Sequence, residues 1–129
     1  MNISKNRTEK EGQIAVVEEL PDNIYSIRFI LESLGYKVRS VCREDGYLDE
    51  IMKLSPDLII VDMLIPAQGG LKAIAELKSS DLKRVPGMAI TADAVAVDEE
   101  VLLEAGFNDV LHKPYTVTQL QEKLGKYVG

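Results

Sequence analysis

The stretch "DLIIVDMLIPAQGG", residues 57–70, runs four aliphatic residues, Leu58 to Val61, into Asp62 and then breaks at Pro66 and the Gly69-Gly70 pair. An apolar run of this length without polar alternation reads as a central parallel strand covered on both faces. Parallel strands need crossover connections, so helical patterns are expected on either side of it.

Working outward, the chain supplies them. Upstream, "QIAVV" at residues 13–17 is a short apolar strand. After "EELPDN", the residues Ile24, Ile27, Ile30, Leu31 and Leu34 recur at helical spacing, and Gly35 stops that helix. "YKVRSV" is the second strand, and Tyr47 to Leu54 is a short helix with Leu48, Ile51 and Met52 on one side. Downstream, a helix is expected near 70–79 through Leu71, Ile74 and Leu77, followed by the strand "GMAIT", which Gly87 interrupts. A helix around 97–105, the strand "DVLH" and a last helix over 117–127 complete the series, the last packing Val117, Leu120, Leu124 and Tyr127 on the sheet. Five strands alternating with five helices imply right-handed crossovers and a doubly wound α/β fold: a five-stranded parallel sheet of order 2-1-3-4-5 flanked by five helices.

The 129 residues suit one domain. Residues 1–12, "MNISKNRTEKEG", are polar and aperiodic and read as a tail, with the domain spanning 13–129. Apolar residues make up 46% and charged residues 28%, which is ordinary globular usage. A net charge of -6 argues against a nucleic-acid surface, which needs clustered cations. The lone Cys42 can form no internal disulfide, and the absence of any apolar run near 20 residues removes a membrane span, so the cytoplasm is the expected compartment.

In such a sheet, function gathers at the carboxyl ends of the strands, beside the switch between strands 1 and 3. Asp62 ends the third strand, and Glu18 and Glu19 end the first, its expected neighbour. Converging carboxylates repel unless something positive sits among them, and oxygen ligands of this kind select a hard cation such as Mg²⁺. Thr91 ends the fourth strand and Lys113 follows the fifth, placing a hydroxyl and an ammonium at the same rim. The set suits a phosphoryl group carried on Asp62 as an aspartyl phosphate, with Thr91 and Lys113 holding its oxygens.

At this point the sequence resembles the response-regulator receiver domains of two-component signal transduction, the CheY-like, flavodoxin-like receiver fold, from about Gln13 to Val128. The matching pieces are "AVVEELPDN", "LIIVDMLIPAQGG", "MAITA" and "EAGFNDVLHKPY". The resemblance implies that Asp62 is the phosphoacceptor, Thr91 the switch hydroxyl, and Lys113 the phosphoryl-binding lysine before a cis Pro114. It makes Glu18 and Glu19 the acidic pair, with Glu19, Asp62 and the backbone carbonyl of Leu64 as the direct metal ligands. It also implies a single-domain phosphoacceptor switch that turns over no substrate of its own. The donor would be a histidine kinase or a histidine phosphotransfer protein, meeting Tyr25, Arg28 and "PYTV", and the output an unnamed downstream protein.

This chain departs from the family pattern at several points. Glu-Glu stands where Asp-Asp or Glu-Asp is usual, Gly69 replaces an acidic residue, and Val110 stands where an aromatic commonly turns inward with the threonine. Leu64 and Asp93 fall at positions that tune loss of the phosphoryl group. The alternative is a pseudo-receiver, a phosphorylation-independent protein-interaction module. A phosphatase that also uses a strand-end aspartate would need a second aspartate where Leu64 stands, and a flavin phosphate would be repelled by the acidic "EELPDN" loop.

Overall fold

The computed structural model describes residues 12–18, 27–63, 68–92 and 99–128. The strands are β1 (Gln13–Glu18), β2 (Lys37–Cys42), β3 (Leu58–Met63), β4 (Gly87–Thr91) and β5 (Asp109–His112). The helices are α1 (Ile27–Ser33), α2 (Tyr47–Leu54), α3 (Gln68–Lys78), α4 (Glu99–Ala105) and α5 (Val117–Leu124). All strand pairs are parallel and the order is β2-β1-β3-β4-β5, the doubly wound sheet expected from the alternation.

Every residue of β3 is buried, which is why the opening stretch carries no polar alternation. Its side chains alternate between two cores. Ile59, Val61 and Met63 join Tyr47, Ile51, Ala73, Ile74 and Leu102 beneath α2, α3 and α4. Leu58 and Ile60 join Ile27, Leu31, Leu120 and Leu124 beneath α1 and α5. Burying apolar side chains on both faces is worth roughly 1.5–3 kcal/mol for each large residue, so the central strand is the best-anchored element and a firm base for whatever stands at its end.

The glycine stop at Gly35 is borne out. Gly35 takes a φ of 100°, and the N–H groups of Tyr36 and Gly35 donate to the carbonyls of Leu31 and Glu32, closing α1 in a Schellman motif. Gly106, with φ at 124°, closes α4 in the same way, the N–H groups of Phe107 and Gly106 reaching the carbonyls of Leu102 and Leu103.

Two expectations need correction. The last helix stops at Leu124, three residues early, because the chain tightens there: Lys126 and Tyr127 donate to carbonyls three residues back, at Lys123 and Leu124. Val117 does not pack on the sheet. It sits in the first turn, 48% exposed, just after the Thr116 capping box, in which the Thr116 hydroxyl accepts from the Gln119 N–H and the Gln119 side chain accepts from the Thr116 N–H. The helix near 70–79 runs over Gln68–Lys78, a shift of its ends only. Among the described residues no helix is long and apolar enough to cross a membrane.

Candidate functional site at the carboxyl ends of the strands

Register fixes the site. In the β1–β3 ladder Glu18 is the partner of Asp62, so the two carboxylates leave adjacent parallel strands on the same face. Both are buried, Asp62 at 1% exposed and Glu18 at 4%. In the next ladders Thr91 is the partner of Met63 on one side and of His112 on the other, and it too is buried. The Lys113 N–H donates to the Thr91 carbonyl at 2.8 Å, which carries the β4–β5 pairing one residue past the strand. The Lys113–Pro114 peptide is cis, as the resemblance implied. From this anchor the Lys113 ammonium reaches Asp62 and donates to its Oδ1 at 2.8 Å. His112 points the other way, toward Glu99 of α4, with Nε2 3.4 Å from the carboxylate.

The electrostatics of this corner are unbalanced. Asp62 Oδ2 and Glu18 Oε1 are both buried with no hydrogen-bond partner among the described residues. The Lys113 ammonium meets Asp62 only on Oδ1, so among the described residues these two buried oxygens face no positive group. An uncompensated buried charge is costly, and a protein keeps one only where a further positive group balances it or the strain has a use. The Asp62 charge is felt by its surroundings: burial first, and then this carboxylate, pushes the Tyr115 phenol above its usual pKa.

A cation fits the donor set. The orphaned oxygens are hard anionic ligands facing one corner, of the kind that holds Mg²⁺. Among the described residues no group of three metal-ligating side chains forms; Glu18 and Asp62 are two. The expected further ligands, Glu19 and the Leu64 carbonyl, lie outside the described residues, as do Tyr25 and Asp93.

Sequence reasoning missed a second polar cluster beside this one. Arg43, just past β2, lays its guanidinium on Glu76 of α3, with Nε and Nη2 each 3.0 Å from one of the two carboxylate oxygens. Tyr47, at the start of α2, donates its hydroxyl to the same carboxylate at 2.5 Å. The Tyr47 hydrogen bond, with Arg43 behind it, holds Glu76 below the usual carboxylate range against the opposing effect of burial. Burial, followed by the Glu76 contact, raises the Tyr47 phenol. The cluster borders a cleft of about 470 Å³ floored by Leu48 and Met52. No local pattern announces it, because Arg43 and Glu76 stand 33 residues apart.

With the geometry in place, comparison with known proteins gives the class. Residues 14–125 match the model of the response regulator receiver domain, and the chain belongs to that family. Receiver domains are signalling switches of two-component systems. The chain is 31% identical over 117 residues to the polar-differentiation response regulator DivK of Brucella anthropi, covering 90% of this chain and 95% of DivK. It is 28% identical over 134 residues to the sensor protein GacS of Pseudomonas syringae pv. syringae, covering 99% of this chain but only 15% of GacS. Among solved structures, the receiver domain of the sensor histidine kinase PA1611 from Pseudomonas aeruginosa PAO1 superposes with a TM-score of 0.71 at 35% identity, covering 90% of this chain and 97% of that one. That structure carries a magnesium ion coordinated in its active site cleft.

Proposed function

We propose that this chain is a phosphoacceptor switch in which Asp62 takes a phosphoryl group from the phosphohistidine of a histidine kinase or a histidine phosphotransfer protein. The single observation that supports the reading most is the Lys113 ammonium seated on Asp62 Oδ1, beside two buried carboxylate oxygens without partners among the described residues. An Asp62 oxygen attacks phosphorus, the P–N bond to the donor imidazole breaks, and the electron pair leaves with the imidazole nitrogen. Lys113 is already in place to hold a phosphoryl oxygen, and the Thr91 hydroxyl, one strand over, is the second candidate. Glu18, Glu19, Asp62 and the Leu64 carbonyl would hold Mg²⁺; a related receiver domain carries a magnesium ion in its active site cleft. When bound, the ion offsets negative charge between carboxylate and phosphoryl oxygens. Burial of Asp62 at 1% exposure keeps its oxygens in a low-dielectric setting where the Lys113 charge acts strongly.

The switched surface would meet a downstream protein, and the proposed compartment is the cytoplasm. A second reading, the phosphorylation-independent interaction module, draws on Val110: it is 2% exposed and packed in the core, so no aromatic at that position turns inward or outward.

The test is intact-protein mass spectrometry after incubation with acetyl phosphate, with and without Mg²⁺, alongside Asp62→Asn. The phosphoacceptor reading expects one added phosphoryl group that needs Mg²⁺ and is absent from the variant. No adduct, together with no Mg²⁺ binding, hands the chain to the interaction-module reading.

A further inference from the structure

A chain of contacts runs around the carboxylate pair and closes on itself. The Arg43 N–H donates to the Glu18 carbonyl at 3.4 Å, extending the β1–β2 ladder past its last residue pair. Its guanidinium grips Glu76 through two 3.0 Å hydrogen bonds. That two-pronged geometry restricts rotation as well as distance, which a lysine could not do. Tyr47 holds the same carboxylate through its hydroxyl, the residue only 6% exposed in the core shared with Val17, Val41, Met63 and Ala73.

Glu76 belongs to α3, and the first turns of α3 press on the strand that carries Asp62. A Cβ built on Gly70 would stand 2.0 Å from Met63 Sδ and 2.6 Å from its Cγ. The helix backbone therefore rests directly on Met63, the residue after Asp62. The ladder partnership of Asp62 with Glu18 completes the circuit. Each side of the carboxylate pair is thus tied, through Arg43 on one side and Met63 on the other, to the same helix.

We propose that Arg43, acting with Glu76 and Tyr47, is a positioning residue that sets the separation between the Glu18 end and the Asp62 end of the cation site. The inference rests on the reading of that site as a Mg²⁺ site. None of the three side chains is among the residues that would hold the cation; the Arg43 main-chain N–H meets the Glu18 carbonyl, its guanidinium meets Glu76, and Glu76 belongs to the helix that rests on Met63. Mg²⁺ demands near-ideal octahedral geometry, so slack between its carboxylates is felt as lost affinity. Groups that orient metal ligands from outside commonly cost about 10–100-fold in affinity when removed, and a linkage through main chain and helix, being less direct, should cost less, about three- to tenfold.

The bland account is that the cluster only pins α2 to α3. The two separate when Mg²⁺ affinity is measured by amide NMR titration on the full chain, with the melting temperature of the metal-free protein followed in parallel. The variants are Glu76→Gln, Tyr47→Phe, and the exchanged pair Arg43→Glu with Glu76→Arg; Lys123→Gln, in a cluster at the far end of the sheet, is the control. The proposal expects Glu76→Gln and Tyr47→Phe to raise the Mg²⁺ Kd about three- to tenfold, the exchanged pair to recover most of it, and Lys123→Gln to lower the melting temperature with the Kd unchanged. Unchanged Kd in Glu76→Gln despite a lowered melting temperature overturns the proposal, and so does an equal loss in Lys123→Gln. If the unaltered protein binds no Mg²⁺, the cation site itself is refuted and this inference with it, an outcome distinct from the other two.

Discussion

Two aspartates at opposite ends of the sheet show what separates a structural carboxylate from the proposed phosphoacceptor. Asp109 opens β5 with its side chain 13% exposed, and donors surround it. Its Oδ1 accepts from Lys123 Nζ at 2.6 Å and from the Val110 N–H at 2.9 Å. Its Oδ2 accepts from the Tyr127 hydroxyl at 3.2 Å and Lys126 Nζ at 3.5 Å. Asp62 is more deeply buried, at 1%, yet among the described residues it receives one ammonium on Oδ1 and nothing on Oδ2. Burial opposes ionisation of Asp109, but the Lys123 hydrogen bond and its neighbours outweigh it and hold the carboxyl below its usual range. Satisfaction makes Asp109 a clamp that fastens the end of the chain to β5. Asp62 is left with acceptor capacity that no described residue uses.

The contrast yields expectations that run from large effects to small. Asp109→Ala should lower unfolding stability by about 2 kcal/mol, since it strips acceptors from four donors at once. Asp62→Asn should change stability by less than about 1 kcal/mol, because it also relieves repulsion from Glu18. Urea unfolding of the two variants side by side checks this, and equal losses would erase the distinction between them. Gly70→Ala should cost about 1–3 kcal/mol by overpacking against Met63. Its signature is a lowered urea midpoint with Met63 methyl resonances shifted.

The acid limb of stability tests the satisfied carboxylates next. Asp109 and Glu76 both ionise more easily in the folded protein than their ordinary values. The unfolded chain therefore binds more protons in the acid range. The stability these groups lend is fully present above the unfolded values, near about 4, and is lost as pH falls through the lower folded ones. Urea midpoints should drop on acidification below about pH 4, and Asp109→Asn or Glu76→Gln should flatten that drop. Thr116→Ala, which removes one half of the capping box of α5, should cost about 1 kcal/mol. Thermal unfolding reads it.

Most of the fold was legible because burial on both faces writes itself into composition. Leu58 to Val61 and the alternation of strands with helices led to a sheet whose order came out as expected. The strand-end rule points Glu18, Asp62, Thr91 and Lys113 to one rim, and the sheet register brings them there. Local pattern failed where local forces compete. Tyr127 continues the apolar period of α5, yet the chain tightens after Leu124 and turns Tyr127 toward Asp109. Val117 fits the same period but falls in the exposed first turn. The Arg43–Tyr47–Glu76 cluster was out of reach for a different reason. Its members come from the end of β2, the start of α2 and the body of α3, which only the fold brings together, and the residues between them carry no trace of the pairing.

The central claim is that the orphaned oxygens of Glu18 and Asp62 are one cation site and that the saturated Asp109 is not. A Mg²⁺ titration followed by amide NMR, on the unaltered protein, Asp62→Asn and Asp109→Asn, tests it most directly. The account predicts saturable shifts confined to the carboxyl ends of β1, β3 and β4, abolished in Asp62→Asn and retained in Asp109→Asn. Absence of saturable binding in the unaltered protein, or binding that survives Asp62→Asn, would contradict it.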